Sequence, residues 1–196
     1  MPTLPEIRAA FAAHQPRILA PIAKQAAVAI VLHDAPGGAE MLFIERAERR
    51  DDPWSGHMAF PGGRVDAGDA DPRRAAERET CEEVGVDLLR ASTLGRLDDV
   101  DGAPPGRDRL IVSAFVYELA ERGMLTPNHE VREALWVPVA GLLEVARRVP
   151  FFWPPSQRET HYPGILVGVP DRHVIWGLTY RFLDLFFGIL GRQLGD

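Results

Sequence analysis

Residues 78 to 86 read RETCEEVGV. Three glutamates, Glu79, Glu82 and Glu83, crowd into this stretch, and Gly85 follows two residues after the last of them. Upstream stands Asp71-Pro72. Aspartate is a favoured helix N-cap, and proline suits the first helical position, where the N–H has no partner within the helix. The pattern predicts a helix that opens at Asp71-Pro72 and runs to about Val84, with Gly85 as its stop. At roughly 100° per residue the three glutamates share a sector of about 100°. Like charges three and four apart destabilise a helix by about 0.2–0.5 kcal/mol per pair. Arg78, four before Glu82, offsets part of this. One turn earlier the same sector carries Ala75 and Ala76, small enough to leave room for an approaching group. The opposite side carries Cys81 and Val84, which can bury.

Two readings account for the crowding. Glutamates on a helix commonly form a solvated charged face. Alternatively they hold hard divalent cations, since Mg2+ and Mn2+ prefer oxygen ligands, and Mg2+ takes one or two carboxylates together with substrate phosphates. The segment FPGGRVDAGDADP, residues 60 to 72, favours the second reading. Its paired glycines let backbone approach a ligand closely and expose peptide groups. Such a turn is a weak signal alone and a strong one at this spacing from an acidic helix.

Outward from this helix, residues 4 to 13 read as a short helix with Leu4, Ile7, Ala10 and Phe11 at helical spacing. AAVAIVLH (26 to 33) reads as a buried strand, with a turn at 34 to 40 and a hairpin partner at 41 to 47. RRDDPWSGH (49 to 57) is a loop, and MAFPGG (58 to 63) a brief strand broken by proline and glycine. Further strands are expected at 92 to 100, 110 to 119 and 134 to 139. A helix is expected at 141 to 148, a loop at 151 to 157, and a late hairpin from GILVGV (164 to 169) and HVIWG (173 to 177). LTYRFLDLFFGIL (178 to 190) is an amphipathic helix with Leu178, Phe182, Leu185, Phe186 and Leu190 as its core stripe. Strands before, between and after helices indicate an α/β or α+β domain with a mixed sheet.

The chain of 196 residues suits one domain, taken here as 1–196, with a core at about 26–140 and a C-terminal hairpin and helix at about 158–194. Its net charge of −6 argues against a general nucleic-acid or anionic-membrane binder, but leaves room for an anionic substrate held through cations. Cys81 is the sole cysteine and can form no internal disulfide. The N-terminal stretch has no apolar run of signal-peptide type, and nowhere do about 18 apolar residues follow one another. A cytoplasmic protein is expected.

Residues 78 to 86 resemble the box of the Nudix hydrolases, G-x5-E-x7-R-E-U-x-E-E-x-G-U, where U is bulky and apolar. The second half matches apart from Thr80 in the first U position. The first half departs further: 14 residues separate Gly63 from Arg78 where the box has 13, and no glutamate occupies the early acidic position, with Asp69 and Asp71 nearby. Within that family the chain is similar to the coenzyme A pyrophosphatase branch. That branch's upstream signature is met in part by Leu42, Arg46, Ala47, Gly56, Phe60, Pro61, Gly62 and Gly63, and its middle arginine is displaced to Arg49 or Arg50.

The resemblance implies a mixed β-sheet sandwiched between helices and cation-dependent hydrolysis of a diphosphate joined to a group X. It implies Glu79, Glu82, Glu83 and the Gly63 carbonyl as ligands of Mg2+ or Mn2+, and Arg78 as their orienting partner. The base is Glu79, Glu83 or, on a later loop, Glu130. Arg46, Gly62, Gly63 and His57 are the candidate substrate contacts; for His57 a hydrogen-bonded structural role is the leading reading. Arg46 is the leading phosphate partner, and Arg49 and Arg50 read more simply as surface charges. The expected partner is a small nucleoside diphosphate: coenzyme A or acyl-CoA first, ADP-ribose, a nucleotide sugar or a dinucleotide as the alternative, and a non-catalytic ligand-binding module as the remaining rival. A homodimer is compatible with all of these. Trp54 and FFWPP (151 to 155) either frame a substrate or pack in a core or lid. Cys81 is expected to be inert on the buried side of its helix. LDDVDG (97 to 102) lacks the alternating ligands and closing glutamate of a calcium loop.

Overall fold

The β-branched run at 26–33 forms the strand on which the rest assembles. The structure, a computed structural model, describes residues 1–50, 54–103, 108–153 and 161–195. Strand β1 (Gln25–Ala35) turns through Pro36-Gly37 into β2 (Gly38–Arg46), and the two pair antiparallel from Ala35↔Gly38 to Leu32↔Met41. Beyond that point they part. The opposite edge of β1 pairs in parallel with β7 (Ile111–Leu119) from Gln25 to His33, and the opposite edge of β2 pairs with β8 (Val131–Pro138). The fork left between β1 and β2 receives two short strands: β3 (Met58–Ala59) on β2 and β4 (Gly62–Arg64) on β1. Gly62 and Gly63 are thereby lodged inside the fork. β5 (Ser92–Arg96) and β6 (Val100–Asp101) pair antiparallel with β7, so the sheet is mixed.

Strand alternation feeds two cores. Ile30, Leu32, Met41, Phe43, Val112 and Val116 face one side, where α1 (Leu4–Ala13) and α3 (Gly177–Ile189) cover them with Ile7, Phe11, Phe182 and Phe186. Ala27, Ala29, Val31, Ile44 and Tyr117 face the other, under α2 (Pro72–Val84). The sheet is thus sandwiched between helices. α1 begins with a capping box in which Thr3 and Glu6 each bind the other's backbone N–H. No helix among the described residues is long and apolar enough to cross a membrane.

Four expectations are corrected. Residues 141–148 form two 3-10 turns, Gly141–Leu143 and Val145–Arg147, because Glu144 between them is extended (φ −69°, ψ 121°). The expected loop at 151–157 begins within a strand: β9 (Arg148–Phe152) pairs with β10 (His161–Leu166), which pairs with β11 (Val174–Ile175). Ala75 and Ala76 do not leave open space; both are fully buried against the sheet, opposite Ala27 and Ala29, and their small size brings helix and sheet close. Cys81 is exposed rather than buried. Residues 51–53 of the expected loop at 49–57, residues 154–157 of that at 151–157 and the expected hairpin start at 158–160 lie outside the described residues.

Gly62 adopts φ +149°, and a Cβ there would overlap the Ala27 carbonyl oxygen and sit 2.6 Å from Val28 Cα. Backbone cannot yield as a side chain can. Gly62→Ala is expected to lower unfolding stability by about 2 kcal/mol or more, measured by chemical denaturation, with Gly68→Ala, which meets open space, near wild type.

Candidate functional site

The acidic helix is built as its sequence signals direct. Asp71 accepts the Arg74 N–H at 3.0 Å, Pro72 follows, and Gly85 closes the helix at φ +74° with its N–H on the Cys81 carbonyl. Thr80, the departure from the apolar pattern, is fully buried and satisfies its hydroxyl by donating to the Ala76 carbonyl at 2.7 Å. Glu77, which the sequence reading passed over, ties the helix to the sheet. It is buried and accepts from Tyr117 Oη (3.1 Å), Arg73 Nε (2.8 Å) and Arg74 Nη1 (2.6 Å). Burial and this carboxylate hold the Tyr117 hydroxyl well above the usual tyrosine range.

The three glutamates have different environments. Glu83 is 2% exposed and accepts the Gly62 N–H at 2.8 Å. Burial foremost, with the charges of Glu79 and Glu130, pushes its carboxyl up to about 7, against the lowering effect of Gly62 and Arg46. Glu79 lies against Gly63, where any Cβ would overlap its carboxylate. Its pKa is raised by burial and by Glu82 and Glu130, while Arg78 opposes the rise. The Glu82 side chain is 55% exposed, and its Oε2 lies 3.3 Å from Arg78 Nη1.

Arg78 is held from several sides. Its Nε and Nη2 donate to the two Asp69 oxygens at 3.0 and 2.9 Å, Nη2 also to the Arg64 carbonyl, and Nη1 to Glu79 at 2.9 Å. Asp69, with the Asp66 N–H on its Oδ2, is held below the usual carboxylate range, first by Arg78. Asp69 is therefore the acid that the sequence reading left unassigned. Five residues separate it from Gly63, the spacing of the early acid in the box, with aspartate in place of glutamate.

Glu130 reaches the same region along a loop stitched to the end of the acidic helix. Thr126 N–H donates to Val84 O and Asn128 N–H to Glu83 O, both at 2.9 Å, so the loop satisfies carbonyls that a helix end leaves open. Arg46 follows a register shift in β2, and its charge lowers the Glu83 pKa. Its backbone exchanges hydrogen bonds with the 56–57 segment. The His57 ring packs edge-on against Trp176 at 4.9 Å and Phe151 at 5.7 Å, beside the stacked Trp54–Trp153 pair. Pro154 and Pro155 of that aromatic stretch lie outside the described residues.

A second acidic group lies on β2 and β8. Among the described residues, Glu45, Glu133 and His173 bring three potential ligand atoms within 4.8 Å of one another. Their positive charge is already present. Arg172 donates twice to Glu45 Oε2, at 2.9 and 2.6 Å, and also contacts Glu133; Arg132 stands 3.3 Å from Glu45. His173 Nδ1 accepts the Val169 N–H, so Nε2 carries the ring proton, 3.4 Å from an oxygen of each carboxylate. Burial opposes charge on Glu45, yet Arg172, Arg132 and His173 still hold its pKa low. This is an ion-pair clamp joining the sheet to the segment before α3. The oxygen set of Glu79 and Glu83 beside Gly62-Gly63 is different: Glu79 shares Arg78 with Asp69 and Glu82, and Glu83, nearly inaccessible, rests on the Gly62 N–H with its pKa still raised. That donor chemistry fits a hard divalent cation.

The raised Glu83 pKa carries a stability consequence. Below the ordinary glutamate pKa both folded and unfolded chains hold the proton, and nothing is lost. As pH rises toward 7 the unfolded chain releases it first, so the folded state loses stability, and the loss is complete above 7. In EDTA, Glu83→Gln is expected to exceed wild type by on the order of 1–3 kcal/mol at about pH 8, with the difference vanishing near pH 4.5. Paired denaturation curves at the two pH values check this.

The NUDIX domain family model matches residues 23–158. The chain is 30% identical over 164 residues to the human mitochondrial coenzyme A diphosphatase NUDT8, covering 79% of this chain and 64% of that protein. It is 35% identical over 125 residues to an ADP-ribose pyrophosphatase of Mycobacterium tuberculosis, covering 63% and 56%. The chain spans between 33% and 64% of the length of the first curated relatives it matches. The fold is similar to that of a MutT/nudix family protein from Enterococcus faecalis, with a TM-score of 0.56 at 15% identity, covering 97% of this chain and 71% of that one. On the family match over more than half its length, the chain belongs to the NUDIX domain family.

Proposed function

We propose that this protein hydrolyses diphosphate linkages with the help of divalent cations. The observation that carries the reading is the pairing of Glu79 and Glu83 on one turn of α2, both drawn against Gly62-Gly63 while Asp69 holds Arg78. Glu79, Glu82, Glu83 and the Gly63 carbonyl would hold Mg2+ or Mn2+. When bound, the cations neutralise diphosphate oxygens and lower the pKa of a water. Arg78 orients Glu79 and opposes the rise of its pKa. Arg46 gives the anionic substrate a fixed positive charge beside the site. Glu130 takes the proton of the attacking water. It is more accessible than Glu83, and it lacks the backbone contact that ties Glu83 to Gly62. The water oxygen forms a bond to phosphorus and the bridging P–O bond breaks.

For the group X we propose coenzyme A or an acyl-CoA, cut to 4′-phosphopantetheine and adenosine 3′,5′-bisphosphate. The relative named as a coenzyme A diphosphatase and the FPGG segment support this choice. The second reading, ADP-ribose, is favoured by the relative named as an ADP-ribose pyrophosphatase.

Product analysis on coenzyme A, acyl-CoA and ADP-ribose with Mg2+ or Mn2+ separates the two. Coenzyme A is expected to be preferred; a clear preference for ADP-ribose overturns the first choice. Glu82→Gln and Glu83→Gln are each expected to lower kcat/KM by about two orders of magnitude or more. Full cation-dependent activity in either variant contradicts the site.

A further inference from the structure

The loop before the fork carries a cation aimed at Glu130. Arg49 Nη2 donates to Glu130 Oε1 at 2.6 Å, and His129 Nε2 stands 3.8 Å from the same oxygen. Both partners have fixed backbones. The Arg49 N–H donates to Ser55 Oγ at 2.8 Å, and that hydroxyl donates back to the Arg49 carbonyl at 2.9 Å, which closes the loop at its base. The Glu130 N–H donates to Asn128 Oδ1 at 2.7 Å, and its carbonyl accepts the Ala47 N–H at 2.8 Å. One loop is therefore anchored on α2 and on the end of β2, and Arg49 of the other meets it through a charge-assisted hydrogen bond. Arg49 and Glu130 are 44% and 39% exposed. An ion pair so exposed adds little to stability, so its consequence is geometric.

We propose that Arg49 is a positioning residue that aims the Glu130 carboxylate over the acidic site. The proposal rests on the reading of Glu130 as proton acceptor. The charge of Glu130 bears on both Glu79 and Glu83. Arg49 thus holds the carboxylate whose charge reaches both glutamates of the helix. Between the two arginines at which the displaced signature position falls, the contact with Glu130 selects Arg49.

The test is a double-mutant cycle on steady-state kinetics with coenzyme A and ADP-ribose. Arg49→Met is expected to lower kcat about 10- to 100-fold, the rate equivalent of one charge-assisted hydrogen bond, with KM within about threefold. Arg49→Lys is expected to recover most of the loss. In a Glu130→Gln background, Arg49→Met is expected to change nothing further, because Arg49 acts only through Glu130. Losses that multiply, or a rise in KM with kcat kept, overturn the proposal; the second result makes Arg49 a substrate-phosphate contact. A wild-type protein inactive on every diphosphate overturns the proposed function as well. An active wild type with multiplying losses overturns only the role of Arg49.

Discussion

The buried carboxylate of Glu83 on the Gly62 N–H is the contact on which the rest of the site depends. It joins the last turn of α2 to the glycine strand in the fork between β1 and β2. A glutamate this deeply buried has its charged form disfavoured, and Glu79 and Glu130 add repulsion. One backbone N–H and the field of Arg46 do not restore its pKa to the ordinary value. The fold spends stability here, which is intelligible if a cation is to complete the electrostatics.

The surrounding elements hold that arrangement in place. Ala75 and Ala76 let α2 lie close on Ala27 and Ala29, and Glu77 pins it to Tyr117. Asp69 draws Arg78 to the side of α2, so that Arg78 touches Glu79 and Glu82. At the helix end, Gly85 leaves space that Thr126 fills, and the loop to Glu130 starts from there. On the far face of the sheet, the Glu45–Arg172 clamp fastens the approach to α3 beneath the strand that carries Arg46. Its acids are matched by arginines, whereas Glu83 rests on the Gly62 N–H and keeps a raised pKa in the field of Arg46. That contrast separates a structural ion pair from a site left ready for a cation.

Much of this was legible in the sequence because local signals agreed. Asp71-Pro72 and Gly85 bounded α2, the leucine and phenylalanine stripe marked α3, and the β-branched run marked β1. What was not legible depended on tertiary packing. Helical periodicity groups residues by face but does not say which face meets the sheet, so Cys81 was expected inside and is outside. Residues 141–148 carry apolar residues at helical spacing, but Glu144 breaks the turn and the chain continues into β9. Glu77 with Tyr117, and Glu45 with Arg172, are pairs 40 and 127 residues apart, beyond any local pattern. Asp69 was visible at the right spacing from Gly63, but it is an aspartate where the box has glutamate, and its hold on Arg78 is a tertiary contact.

The central claim is that α2 carries an uncompensated acid whose charge a divalent cation completes. Calorimetric titration of Mn2+ into the wild-type protein, repeated in buffers of different ionisation enthalpy, measures both binding and the protons that accompany it. With Glu83 titrating at about 7, the account predicts proton release on binding near pH 6.5 that fades by about pH 8.5. Absence of binding, or binding with no proton release at either pH, would contradict it.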